Sequence, residues 1–213
     1  QLFTRLIGKK GHHGSVLSRE DFTAMTEIAH EEGVFQESES TVIKNLLKFD
    51  EILAKDVMTP RTVMKIASED ITIQEFFEAN RPLRFSRIPL YKSSMDNITG
   101  FFLKDELLEA MINKKGKEKL GTIKREILVT NRNKPIPELF EKFVEQNEHV
   151  SLVVDEYGSV SGLVTQEDVI ETLLGLEIMD ESDNVEDLQV LARKNWESRA
   201  RRLGIIEDIN EVE

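Results

Sequence analysis

A hydroxyl and a carboxylate three residues apart, on Thr165 and Asp168, stand where a β-branched strand pattern gives way to a helical pattern. The Thr165 hydroxyl can cap the free N–H groups of the first helical turn, and Asp168 can complete the capping box. The same arrangement can hold a nucleotide, with phosphate at the helix N-terminus and ribose on the carboxylate. A single match to this pattern is weak evidence for binding unless the chain repeats it.

The pattern does occur a second time, upstream at residues 98–108, with the same order of polar turn, glycine, apolar strand and helix start. Gly100 and Gly162 lie 62 residues apart, and Ile73 of a preceding helical pattern lies 63 residues before Ile136. Two copies of one β-α-β-β-α unit therefore account for residues from about 56 to 175. We expect an α/β (α+β) fold with the two copies in a pseudo-twofold arrangement, flanked by N-terminal helices and a C-terminal helix.

Three short motifs occur in order along this duplicated region. They are Asp-Val-Met-Thr-Pro-Arg at residues 56–61, Ser-Arg-Ile-Pro-Leu-Tyr at residues 86–91 and Val-Val-Asp-Glu-Tyr-Gly at residues 153–158. With the duplication, the chain resembles a pair of cystathionine-β-synthase (CBS) motifs, the Bateman module. More narrowly, it resembles the cytosolic part of the CorC/cyclin-M (CNNM) family of magnesium and divalent-cation transport proteins. The resemblance covers nearly the whole chain.

This resemblance implies a function and a set of partners. It implies a regulatory module that binds adenine nucleotide, as ATP with Mg²⁺, and forms a homodimer through the CBS pairs. It also implies that the module controls an N-terminal membrane transport domain of the same polypeptide, at the cytoplasmic face of the cell membrane. Two alternatives are a dimerisation scaffold with a vestigial pocket and, less favoured, a nucleotide-hydrolysing enzyme.

The resemblance also implies which residues contact the nucleotide. The positions that match the binding motifs of the family are Thr59, Phe85, Ser86, Arg87, Ile88, Pro89, Leu163, Thr165 and Asp168.

Each proposed role has a structural alternative. Phe85 and Leu163 offer an apolar slot for adenine, Asp168 can accept hydrogen bonds from ribose hydroxyls, and Arg87 can bind phosphate oxygens through its guanidinium fork. The alternatives are core packing for Phe85, a surface ion pair for Arg87 and a turn hydroxyl for Thr59. No metal ligands are assigned, because Mg²⁺ is expected to arrive with the phosphates and offset repulsion from nearby carboxylates.

The two copies differ in the residues at the strand-to-helix junction. Where the second copy has Thr165 and Asp168, the first has Leu103 and Glu106. Leucine can neither cap a helix nor bond a phosphate, so we expect one nucleotide per chain, held by the second copy with first-copy residues opposite.

Composition shifts divide the chain into five parts. We expect a basic linker from a membrane domain at residues 1–17, a helical segment at 18–55, the first CBS motif at 56–120, the second at 121–176, and an acidic stretch with a closing helix at 177–213. Within them, we expect a helix N-cap at Ser18, a strand at residues 63–67, a capping box of Thr72 with Glu75 and a helix N-cap near Asn184. The adjacent His12 and His13 favour a solvated loop over a metal site.

Composition also restricts the function. The net charge of −12 argues against nucleic acid as a partner. The absence of cysteine excludes cysteine-ligated metal sites. No Gly-x-x-x-x-Gly-Lys-Ser/Thr loop occurs, and four scattered histidines assemble no catalytic triad or zinc set, so we do not expect an enzyme.

Overall fold

The computed structural model describes residues 17–176 and 188–202. The helices in this part of the chain are α1 (Arg19–Glu31), α2 (Glu37–Lys48), α3 (Ala54–Val57), α4 (Ile73–Ala79), α5 (Lys104–Ile112), α6 (Ile136–Gln146), α7 (Gln166–Leu174) and α8 (Leu188–Arg202). The strands are β1 (Thr59–Pro60), β2 (Ala67–Ser68), β3 (Arg87–Tyr91), β4 (Ile98–Leu103), β5 (Leu128–Asn131), β6 (Val150–Val154) and β7 (Val160–Thr165). None of the described helices has the length and apolarity that crossing a membrane requires.

The duplicated β-α-β-β-α order is confirmed, and each copy forms its own sheet. In the first copy, β2 pairs parallel with β3, which pairs antiparallel with β4. In the second, β5 pairs parallel with β6, which pairs antiparallel with β7. Each sheet carries its own apolar core, which includes Ile73, Phe76 and Phe102 in the first copy and Ile136, Leu139 and Phe143 in the second.

The segment that precedes each copy crosses to the sheet of the other copy. β1, which precedes the first copy in sequence, pairs antiparallel with β7 of the second. Ahead of the second copy, Arg125 forms a bridge to Phe101 in β4 of the first. Ala54 and Val57 of α3 accordingly lie in the second core rather than the first. The two copies are therefore tied together by exchanged segments.

The hydrogen bonds of the two crossing segments repeat with the same geometry. Ile136 N donates to Ile52 O at 3.0 Å and Ala54 N donates to Lys134 O at 2.8 Å. In the other copy, Ile73 N donates to Glu118 O at 2.9 Å and Leu120 N donates to Ile71 O at 2.9 Å. This correspondence confirms the pseudo-twofold arrangement. It makes Thr59 in one crossing segment equivalent to Arg125 in the other, and each of these residues lies beside a glycine of the opposite copy.

The two repeated glycines lie where the crossing segments come closest. A Cβ on Gly162 would lie 2.4 Å from Thr59 O, and a Cβ on Gly100 would lie 2.2 Å from Arg125 O. Both neighbouring atoms are backbone, so neither can move aside without breaking a strand pairing. The 62-residue spacing of the glycines therefore marks a steric requirement of the exchange.

The strand predicted at residues 63–67 is wrong. A 3-10 turn occupies Arg61–Val63, and the strand is limited to Ala67–Ser68. Pro60 has no N–H with which to extend the β1 ladder, and Met64 N donates to Arg61 O at 3.3 Å instead. The chain needs this turn to leave the second sheet and enter the first.

Of the two N-terminal helices, α2 packs against the second copy and α1 packs against α2. The predicted N-cap of α1 at Ser18 is confirmed, and Ser18 also forms a capping box with Asp21. α2 packs against α7, where Asn45 Nδ2 donates to Leu173 O at 3.3 Å. Gly175 ends α7 with a φ of +68°, and a Cβ there would lie 2.8 Å from Thr41 Cγ2. The interpretations of the histidine pair at residues 12–13, of the acidic run and of the cap near Asn184 lie outside the described residues.

Candidate functional site

The junction of β7 and α7 forms the capping box predicted from the sequence. The Asp168 carboxylate atom Oδ2 accepts from Thr165 N at 2.6 Å and from Thr165 Oγ1 at 2.9 Å. In return, Asp168 N donates to Thr165 Oγ1 at 3.2 Å. Both bonds to the carboxylate end on Oδ2, so within the described part of the chain Oδ1 is open to a donor from outside.

The environment of Asp168 favours its protonated form. Burial raises the pKa of this carboxyl to about 7, although the hydrogen bonds from Thr165 act in the opposite direction. The nearby Glu171 and Glu167 carboxylates raise the pKa further. A ligand that donated hydrogen bonds to Asp168 would favour the ionised form, so binding at this position would release a proton near neutral pH.

The crossing strand brings Thr59 to the same place. In the pairing of β1 with β7, Thr59 lies opposite Leu163, which in turn lies opposite Leu152 of β6. Both Thr59 and Leu163 are half-buried. Thr59, Leu163, Thr165 and Asp168 are therefore joined by one strand pairing and one helix cap.

Arg87 reaches this group from the first copy. It is the first residue of β3, and its Nη1 lies 3.8 Å from Oε1 of Glu167 in the first turn of α7. The two side chains are 24% and 55% exposed, so the pair is loose and contributes little to stability. Glu167 was not predicted as part of the site, although its place in the first turn beside Asp168 was visible in the sequence.

The other four predicted residues separate into two pairs. Phe85 and Ser86 lie exposed in the loop before β3, with Phe85 at 37%, which argues against simple core packing for that ring. Ile88 and Pro89 are buried in the sheet, and Ile88 packs in the first core. A ligand beside Arg87 could meet Phe85 and Ser86 through their side chains, but Ile88 and Pro89 only through their backbone.

The described residues hold no group of three or more histidine, aspartate or glutamate side chains that could bind a metal ion by themselves. Hydroxyls, one carboxylate with an open oxygen and one arginine are the groups that a nucleoside phosphate requires at its ribose and phosphate ends.

The sequence is similar to several known proteins. The CBS domain family matches residues 120–175. The UPF0053 protein sll1254 of Synechocystis is 32% identical over 84% of the chain, and the chain spans only 51% of that relative. The magnesium and cobalt efflux protein CorC of Escherichia coli is 28% identical over 99% of the chain, which spans 72% of that relative.

Solved structures of similar fold are also known. The CBS domain of a bacterial CNNM/CorC family Mg²⁺ transporter is 31% identical, with a TM-score of 0.70 over 78% of this chain and 100% of its own. The structure of such a CBS domain in complex with ATP is 30% identical, with a TM-score of 0.62 over 65% of this chain and 98% of its own.

Proposed function

This chain belongs to the CNNM/CorC family, as the CBS-domain part of such a protein, and on that premise we propose that it is a regulatory module which binds ATP with Mg²⁺. The observation that carries the proposal is the convergence of Thr59, Thr165 and Asp168 from one side with Arg87 from the other. The ATP complex of a similar CBS domain supports the choice of ligand.

Each group in the site has a part in the proposed complex. The open oxygen of Asp168 accepts from the ribose hydroxyls, while Phe85 and Leu163 flank the adenine. Arg87 binds the phosphates, which the Thr59 hydroxyl can also reach. Ser86, Ile88 and Pro89 complete the first-copy wall, the last two by backbone contact.

Titration calorimetry of the purified chain with ATP and Mg²⁺ tests this proposal. We expect saturable binding of one nucleotide per chain. No heat and no thermal shift at millimolar ATP with Mg²⁺ would contradict the proposal and favour a scaffold with a vestigial pocket.

The regulatory part of the proposal concerns partners. We propose that two chains pair through the helices of their CBS motifs, and that the module lies at the cytoplasmic face of a membrane transport domain in the same polypeptide. Ile112 of α5 and Val144 of α6, which are 79% and 62% exposed, supply apolar surface for the pairing. The contact of α2 with α7 would pass a change at the nucleotide site to the N-terminal helices. The role is regulatory rather than enzymatic.

Mg²⁺ is expected to be required because carboxylates surround a polyanionic ligand. Glu167 lies beside Arg87 and so beside the proposed phosphate position. We expect Glu167→Gln to raise the affinity for ATP without Mg²⁺ about fivefold, since one repulsive charge at a few ångströms is worth roughly 1 kcal/mol. The ratio of the ATP affinities with and without Mg²⁺ should therefore fall by the same factor. Calorimetry with and without Mg²⁺ measures both quantities.

The matched control for that substitution is Glu109→Gln, which removes an equal charge from the exposed face of α5 in the first copy. It should leave both affinities unchanged within twofold. Equal ATP affinity of the wild type with and without Mg²⁺ would refute the role of the cation.

The pKa of Asp168 predicts how affinity depends on pH. Ribose hydroxyls bond best to the ionised carboxylate, whose pKa is about 7 in the free protein. Nucleotide binding should therefore weaken as pH falls through 7, by roughly tenfold between pH 8 and pH 6. The affinity of Asp168→Asn, measured at each pH, corrects for the part of the pH dependence that arises from protonation of the nucleotide itself. A wild type and a variant with parallel pH profiles would show that Asp168 does not contact the ligand.

A further inference from the structure

The first copy contains a structural counterpart of the candidate site. The pseudo-twofold arrangement makes Leu103 equivalent to Thr165 of the second copy, since both residues are the N-cap of the helix that follows. It places Glu106 where Asp168 stands, at the third helical position. It also places Arg125 where Thr59 stands, since both cross beside a repeated glycine.

In this counterpart the carboxylate forms an ion pair with another residue of the chain. Arg125 Nε lies 3.1 Å from Oε1 of Glu106, so the crossing segment supplies a cation to the carboxylate. In the second copy the crossing residue is Thr59, which carries no charge, and Asp168 Oδ1 stays open. The ion pair in the first copy thus neutralises the carboxylate that a ligand would otherwise meet and satisfies its Oε1, while Glu106 Oε2 is buried without a partner among the described residues.

The crossing segment that carries Arg125 is anchored on both sides of that residue. Arg125 N donates to Phe101 O at 2.7 Å, and Phe101 N donates to Arg125 O at 3.0 Å. The preceding residue, Lys124, donates to Glu69 Oε2 at 2.8 Å. Together with Lys92 and the Thr99 hydroxyl, Lys124 holds the pKa of Glu69 at about 2. The backbone of Arg125 is therefore fixed by strand pairing and by the anchoring of Lys124 beside it, while the Arg125 side chain is 55% exposed.

The opposite wall of the counterpart also differs. Arg87 pairs with Leu103 across the first hairpin, and Val150 pairs with Thr165 across the second. Val150 therefore stands where Arg87 stands, and it is 1% exposed. The first-copy pocket lacks the cation that would bind phosphate from this side.

We propose that the Arg125–Glu106 ion pair takes the place of a ligand in the first copy, and that these two residues decide that the chain holds one adenine nucleotide rather than two. The inference rests on the proposed function, because the nucleotide in the second copy is its reference.

Transferring the pair to the second copy tests the inference. The variant Thr59→Arg with Asp168→Glu recreates the first-copy arrangement at the proposed nucleotide site. Its control, Thr59→Met with Asp168→Glu, keeps a long side chain without the charge. If the arginine displaces the ligand by pairing with the carboxylate, the arginine variant binds ATP with Mg²⁺ at least tenfold more weakly than the methionine variant. An arginine that merely attracted phosphate would act in the opposite direction, so equal or tighter binding by the arginine variant overturns the inference.

A second measurement needs no substitution. Photolabelling of the wild type with 8-azido-ATP, followed by peptide mapping, should mark second-copy and β3 peptides but not residues 103–106 or 125. Two nucleotides per chain, or label on those first-copy residues, overturns the inference and leaves the proposed function standing. A wild type that binds no nucleotide at all instead refutes the proposed function.

Discussion

Replacing Gly162 with alanine is expected to lower the free energy of unfolding by about 2–3 kcal/mol and to weaken nucleotide binding at least tenfold. The added Cβ would lie 2.4 Å from Thr59 O, a distance that no pair of such atoms tolerates. β1 must then separate from β7, and Thr59 leaves the site with it. Urea unfolding measures the stability, and calorimetry with ATP and Mg²⁺ measures the affinity.

The first copy offers a matched control for this substitution. Gly100→Ala places a Cβ 2.2 Å from Arg125 O and should destabilise the chain by a similar amount. Because the substitution acts on the copy without a nucleotide, the affinity of the variant for ATP should stay within about threefold of wild type under conditions where the chain is folded. Equal losses of affinity in both variants would mean that the loss at Gly162 reflects general destabilisation.

Replacing Asp168 with alanine is expected to reduce nucleotide affinity at least tenfold, or by about 1.4 kcal/mol or more. The carboxylate is the acceptor for the ribose in the proposed complex, and no other acceptor of the capping box has an open oxygen. The cap itself contributes about 1 kcal/mol to stability, so binding must be measured well below the unfolding temperature. Calorimetry of wild type and variant gives the two affinities directly.

Glu106→Ala is the matched control, since Glu106 holds the same helical position in the first copy. At the second-copy site this variant should bind ATP with Mg²⁺ within about twofold of wild type. If Glu106→Ala rather than Asp168→Ala abolished binding, the nucleotide would lie in the first copy, and the proposed site would be wrong.

Local patterns predicted those parts of the fold that depend on a few neighbouring residues. The N-cap at Ser18 and the capping boxes at Thr72 and Thr165 were each visible as a hydroxyl with an acid in the helical turn that follows, and each is present. The duplicated unit was visible because both copies keep the same glycine and the same helical periodicity. Such patterns can be recognised in the sequence because they involve contacts within one turn or one element.

Non-local contacts could not be read in the same way. Nothing in residues 59–60 indicates that β1 joins the sheet of the other copy, because strand pairing depends on a partner about 100 residues away. The predicted strand at residues 63–67 failed for the same reason, since the turn there serves the exchange. Gly162 was recognised as a repeat marker, but its steric role required the position of Thr59.

The candidate site shows the same division. Thr165 and Asp168 were predicted from their spacing, whereas the pairing of Arg87 with Glu167 joins residues from two copies and was not. The resemblance selected Ile88 and Pro89 along with Arg87, but it could not show which side chains of β3 face the core.

The shortness of α7 has a mechanical consequence. Nine residues make a rod of about 13 Å, too short to bend appreciably. One end of this rod is the proposed ribose contact, and the other end abuts Thr41 and Asn45 without a gap that could absorb a shift. A tilt imposed at the first end would be transmitted to α2, so α1 and α2 would respond to an occupied site without contacting the nucleotide.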